Sequence, residues 1–216
     1  MQSCRVICDL RLDVPLSHAP RLLTLIHQVL ALASVPLDSI DLFAISQGPG
    51  SFTGLRIGAA TLLGLGQALQ REVVGIDTLE ALALKAWGAP YPVAALLDAR
   101  KGEVFGAVFR NTATGPLRLT PNLVTSPEAF CANITAPTIL LGTGVNTYRS
   151  VWEGSLGHLA IFPPSWLGMP CSVEVGALAF TQATNGHGGS RAAFTPVYVR
   201  ASEAELNWSR RHTHDQ

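Results

Sequence analysis

Gly48-Pro49-Gly50-Ser51-Phe52-Thr53-Gly54-Leu55-Arg56-Ile57-Gly58 decides how this chain is read. It follows Asp41–Ser46, a short apolar run that reads as a strand, and it opens a long apolar stretch over Thr53–Gln70 that reads as a helix. Gly48 and Gly50 permit backbone angles that other residues avoid, and Pro49 stiffens the turn between them. Ser51 or Thr53 supplies a side-chain oxygen to cap the helix. A helix start of this kind is able to hold an anion through its free amides, but a purely structural turn accounts for the same residues.

Enzymatic motifs fail here at named positions. A phosphate-binding P-loop needs lysine after its last glycine, and Leu55 follows Gly54. The dinucleotide fingerprint needs a third glycine where Thr53 stands. A nucleophile elbow needs glycine two residues either side of Ser51, where Pro49 and Thr53 are found.

Outward from this turn, further strands are expected at Val73–Asp77, Val93–Asp98, Val104–Arg110, Thr138–Leu141 and His158–Phe162. Helices are expected at Arg21–Val35 and from Ser172, with Ser172 as cap and Glu174 in the first turn. Phe162–Pro170 reads as a connection, and the polar run from Ser202 as a mobile tail. Strands alternating with helices give an α/β chain.

The 216 residues are 48% hydrophobic and only 14% charged, against roughly 25% charged in an average soluble protein. No charged residue lies between Arg21 and Asp38, nor between Arg56 and Arg71. Surface helices normally keep a charged face. Both helices are therefore either buried in one core or turned toward a partner, and the low charge of the whole chain favours the partner. Gly54, Gly58 and Thr61 form a small-residue side of the second helix, suited to close approach by another helix.

Fifteen basic residues balance fifteen acidic ones, so no basic excess of the kind that grips a nucleic-acid backbone is present. Cys4, Cys8, Cys131 and Cys171 form no CxxC pair, and the six histidines include no HExxH or HxxxH. Asp98 and Glu103 flank a turn, where capping or pairing with Arg100 or Lys101 outweighs acid–base chemistry. No catalytic residue is named. No window reaches the roughly 20 apolar residues of a membrane span, and a cytoplasmic protein is expected.

As a whole string, GPGSFTGLRIG resembles the signature of the TsaB (YeaZ) family. Ser17-His18 with Arg21-Leu22-Leu23, Asp77-Thr78-Leu79-Glu80-Ala81-Leu82-Ala83, Asp98-Ala99-Arg100-Lys101-Gly102-Glu103-Val104-Phe105, Leu141-Gly142-Thr143-Gly144 and Pro196-Val197-Tyr198-Val199-Arg200 resemble family segments in the same order. The resemblance implies an actin/Hsp70-like (ASKHA) fold of two lobes with mixed sheets and flanking helices. The division expected is 1–97 for the N-terminal lobe with its partner-binding helices, 98–201 for the C-terminal lobe and 202–216 for the tail.

It further implies a non-catalytic scaffold for a TsaD-type paralogue, in the complex that forms N6-threonylcarbamoyladenosine at position 37 of tRNAs reading ANN codons. A TsaE-type ATPase joins, a homodimer is possible, and tRNA is met only indirectly. No cofactor is expected on this subunit alone, ATP and threonylcarbamoyl-adenylate being used by the complex. The implied interface falls on Leu22, Leu25, Ile26, Val29, Gly54, Gly58, Thr61, Leu62 and Leu65. Gly48, Pro49, Gly50, Ser51 and Thr53 make the signature turn.

Relatives open with an Asp-Thr-Ser strand and a hairpin before the Ser-His element, whereas Ser17 comes after only 16 residues here. Residues 4–14 are accordingly expected to be the hairpin's last strand, in an N-terminal lobe short of its first strand or two. The competing functions are an ATP-dependent enzyme of the actin/Hsp70-like class and a metallopeptidase of the M22 type.

Overall fold

The structure is a computed structural model that describes residues 5–12, 21–169 and 172–184. The first helix, α1 (Leu22–Ala33), and a 3-10 turn at Leu37–Ser39 lead into β1 (Leu42–Gly48). After the signature turn come α2 (Phe52–Leu69), β2 (Glu72–Asp77) and α3 (Thr78–Leu84). A second run follows with β3 (Val93–Arg100), β4 (Glu103–Thr112), β5 (Gly115–Arg118), β6 (Leu123–Thr125) and α4 (Pro127–Phe130). It continues through β7 (Thr138–Leu141), α5 (Thr143–Thr147), α6 (Arg149–Leu156), β8 (Ala160–Ile161) and α7 (Ser172–Thr184).

These strands make two separate sheets. The first pairs β1 with β2 in parallel, Leu42 opposite Glu72 and Gly48 opposite Asp77. The second runs β5-β4-β3-β7-β8, with β6 also on β4. The β3–β4 hairpin is antiparallel, while β3–β7 and β7–β8 are parallel, so the sheet is mixed as expected.

Alternation along β3 shows why this sheet is covered on both faces. Val93, Ala95, Leu97 and Ala99 point into one apolar cluster with α3, and Ala94 and Leu96 point into another with Phe130, Val145, Trp152 and Leu156. Trp152 is fully buried, meets Phe130 edge-on at 6.4 Å, and donates its indole N–H to the Gly144 carbonyl at 3.1 Å. A third cluster joins Val74 and Ile76 of β2, Ala81 of α3, and Val175, Leu178 and Ala179 of α7.

Three expectations are corrected. Residues 5–12 form no strand: they enter neither sheet, and Val6, Ile7 and Leu12 are exposed rather than alternately buried. A lobe boundary at 97/98 would cut through β3, whose ladder runs from Val93; the break between the sheets lies earlier, between α3 and β3. The chain also does not stay in its second lobe to the end, because α7 packs back on β2 and α3 of the first. Ser172 stands as the first helical residue, and its hydroxyl donates to Asp9 Oδ1. The Ser17-His18 element, the Pro196–Arg200 segment and the expected tail lie outside the described residues.

Candidate partner surface and signature turn

The signature turn is built for structure. Gly48 closes β1 with φ 117°, in the region that favours glycine, and a cis peptide bond joins it to Pro49. Gly48 and Pro49 are both buried. Ser51, rather than Thr53, is the cap: its Oγ accepts from the Gly54 N–H at 3.3 Å, and its carbonyl accepts from Leu55 N–H at 2.9 Å. Thr53 lies inside the first turn of α2, exposed.

On α2 the faces differ from the expected ones. Gly58 is buried, and a Cβ placed on it would stand 2.7 Å from Ile45 Cδ1, so its smallness lets α2 lie close on β1. That is a contact within the chain and removes Gly58 from any partner surface. Gly54, Thr61, Leu62 and Leu65 are half-buried. The exposed face instead carries Arg56, Ala60, Leu63, Gly64 and Gln67, and a Cβ on Gly64 would meet nothing within 4 Å. The outward small-residue stripe is thus Ala60, Gly64 and Ala68, at i, i+4, i+8 spacing.

The other expected half, α1, has no buried residue although none of its twelve residues is charged. Leu22, Leu25, Ile26 and Val29 are half-buried, while Leu23 and Leu32 are 59% and 72% exposed. None of α1 enters the three core clusters. Of the two readings open from sequence, burial in a single core therefore does not hold for α1. Leu23, Leu32, Ala60, Leu63 and Gly64 were not among the expected interface residues; the helical wheel shows an apolar arc but not which part of it the sheet covers.

Beside the turn, at the end of β2, stands a polar cluster that sequence reading did not find. Asp77 Oδ1 accepts from the Leu79 and Glu80 N–H groups at 2.8 and 2.9 Å, capping α3. Asp77 Oδ2 accepts from Asn122 Nδ2 at 2.6 Å and pairs with Arg118 at 3.2 Å. Burial, and then the neighbouring Asp77 carboxylate, push the Glu80 carboxyl above its ordinary value, with Arg118 pulling the other way.

In the β3–β4 turn, Asp98 is engaged within its own hairpin and by Tyr148, the residue before α6. Asp98 Oδ1 accepts from Arg100 N–H at 2.8 Å and from the Tyr148 hydroxyl at 3.3 Å, and Asp98 Oδ2 pairs with Arg100 at 3.4 Å. Arg100, Lys101 and Gly102 all have positive φ, so Asp98 is spent on holding a tight hairpin. Among the described residues no group of three or more His, Cys, Asp or Glu stands close enough to share a metal ion, and no helix is long and apolar enough to cross a membrane.

Similarity to known proteins extends over most of the chain. The family model described as "TsaD: tRNA N6-adenosine threonylcarbamoyltransferase" matches residues 14–208. The tRNA threonylcarbamoyladenosine biosynthesis protein TsaB of Haemophilus influenzae is 29% identical over 205 residues, 90% of this chain and 83% of that one. The chain belongs to the TsaB (YeaZ) family.

Family members differ in how much of the chain they match. The Escherichia coli TsaB is 36% identical over 104 residues, so there the match spans about half of each chain, 47% and 45%. YeaZ from Pseudomonas aeruginosa superposes with a TM-score of 0.73 at 29% identity, covering 85% of this chain and 86% of that one. A second Pseudomonas aeruginosa structure, described as an uncharacterized protein with similarity to peptidase YEAZ, gives a TM-score of 0.74 over 87% and 86% at the same identity. The fold is accordingly the actin/Hsp70-like one, with α/β lobes and mixed sheets.

Proposed function

We propose that this chain is an accessory, non-catalytic subunit in the formation of N6-threonylcarbamoyladenosine at position 37 of tRNA, acting by docking a TsaD-type catalytic paralogue on its α1 and α2. One observation carries the docking half of this reading. A helix of twelve uncharged residues, seven of them Leu, Ile or Val, has no buried residue in the lone chain. Apolar surface left in water is worth roughly 25 cal/mol per Å2 once covered, and large exposed apolar patches mark interaction sites.

The part in tRNA modification rests on the TsaB name borne by relatives across most of this chain's length. Asp98 is engaged by Arg100 of its own hairpin and by the Tyr148 hydroxyl, and the Ser51 side chain is engaged in capping α2, which favours a scaffold over an enzyme. On this reading ATP and threonylcarbamoyl-adenylate are handled by the partners, including a TsaE-type ATPase, and tRNA contacts fall mainly on them.

The test is reconstitution with the TsaD-type and TsaE-type partners, tRNA, ATP and threonylcarbamoyl-adenylate. Modified adenosine should accumulate only when this chain is present, and Leu23→Lys with Leu32→Lys should remove both co-purification and stimulation. Undiminished co-purification of that folded double variant would sink the docking assignment. Equal modification with and without the wild-type chain would sink the function itself.

A further inference from the structure

The two sheets share no ladder, and the element between them is α3. Its Leu79, Leu82 and Ala83 pack with the larger sheet, while Ala81 packs with β2 and α7. Apolar packing of this kind is non-directional, so by itself it allows one lobe to slide or rotate on the other. Directional bonds are what fix an angle.

Such bonds occur at both ends of α3. At its start, Asp77 belongs to the first sheet, where it lies opposite Gly48 of the signature turn. Arg118 ends β5, and Asn122 lies between β5 and β6 of the second sheet. The three side chains close a ring. Arg118 donates from one guanidinium nitrogen to Asn122 Oδ1 and pairs through the other with Asp77 Oδ2, while Asn122 donates its amide to that same carboxylate oxygen. The Arg118 guanidinium also lies 4.6 Å from the centre of the Phe109 ring on β4, which fixes its plane. At the end of α3, Asn111 of β4 donates to the Ala83 carbonyl at 3.0 Å.

The Asp77 and Arg118 side chains are 14% and 32% exposed, so their pairing is shielded well beyond that of a surface ion pair. Asp77 thereby does two jobs with one carboxylate. Its Oδ1 starts α3, and its Oδ2 holds the other lobe.

We propose that the Asp77–Arg118–Asn122 ring is an interlobe latch, which makes capping of α3 and locking of the lobe angle one event and holds the signature-turn lobe at a single orientation on the larger sheet. This goes beyond the docking reading and does not depend on it.

The latch is tested on the full chain by pulsed spin-label distances between Gln67 on α2 and Ser150 on α6, both exposed, with the native cysteines replaced by serine. Asp77→Ser keeps a capping oxygen but cannot reach Arg118 and Asn122. Asn122→Ala and Arg118→Gln leave the cap untouched, and they carry the test if Asp77→Ser does not fold. The expected result is a narrow distance distribution in the parent and a broadened one in each variant. Each single change should lower Tm by about 3 °C, and adding Arg118→Gln to Asp77→Ser should lower it no further. Distributions as narrow as the parent's in Asn122→Ala and Arg118→Gln overturn the latch. So does broadening confined to Asp77→Ser, which would assign the effect to the cap alone.

Discussion

At the scale of single residues, Glu80 and Gly142 show how local physics sets measurable costs. The Glu80 carboxyl is raised from its ordinary 4.5, by burial first and by Asp77 second. The folded state therefore binds this proton more tightly than the unfolded chain, so Glu80's contribution to stability is fully present below about 4.5 and is lost as pH rises through the folded value. Glu80→Gln should gain on the parent as pH climbs through that window and hold a constant advantage above it, read by urea unfolding from acid to neutral pH. A pH-independent difference would rule out the titration. Gly142 is the opposite case, a position with no tolerance. Its φ is 128°, and a Cβ would stand 1.8 Å from the Leu96 carbonyl oxygen, which is backbone and cannot step aside. Gly142→Ala should cost more than about 4 kcal/mol, visible as loss of cooperative unfolding or of soluble protein; a variant with parental Tm would contradict this backbone packing.

At the scale of elements, α2 offers a graded series. Gly64 faces open space, so Gly64→Ala should stabilise the helix by up to about 1 kcal/mol. Two residues on, a Cβ at Gly66 would stand 2.6 Å from Val73 Cγ2 and 3.0 Å from the Arg71 carbonyl, so Gly66→Ala should destabilise despite the same gain in propensity. Chemical denaturation of the two variants decides it; equal midpoints would mean that α2 is rotated from the orientation described. The way each helix is turned on its sheet also explains what sequence made legible and what it did not. Apolar runs bounded by turn residues located β1, β2, β3, β4 and β7 to within two residues, and the uncharged stretches located α1 and α2. The helix α3 escaped notice because Leu79, Ala81, Leu82 and Ala83 are buried on two opposite sides, which erases the one-sided period that marks a helix. For α2 the wheel holds two small-residue stripes, and only contact with Ile45 shows that the Gly58 stripe faces inward. The Asp77 ring joins residues 77, 118 and 122 across two sheets, a distance over which local pattern carries no signal.

At the scale of the whole molecule, α7 decides how the lobes are stitched. The chain passes from the first lobe to the second after α3 and returns at Ser172, so α3 and α7 meet as the outgoing and returning elements of one cluster. Their meeting includes a nearly buried ion pair, Lys85 Nζ to Glu174 Oε1 at 3.6 Å, with side chains 5% and 16% exposed. Such a pair is weak evidence of net stabilisation, because two charges have been taken out of water. Breaking it from one side is another matter, since the remaining carboxylate keeps its desolvation cost and loses the attraction of the Lys85 ammonium. Lys85→Met should therefore destabilise by about 3 kcal/mol, and hydrogen exchange should accelerate in α7 and α3 while β3, β4 and β7 keep their protection. The double change Lys85→Met with Glu174→Leu should recover most of the loss, because an apolar pair of similar volume suits a site where Lys85 lines one hollow with Ile139, Leu141 and Leu167. If exchange instead rises equally throughout both sheets, the lobes unfold as one unit, and α7 is not an independently releasable clasp on the first lobe.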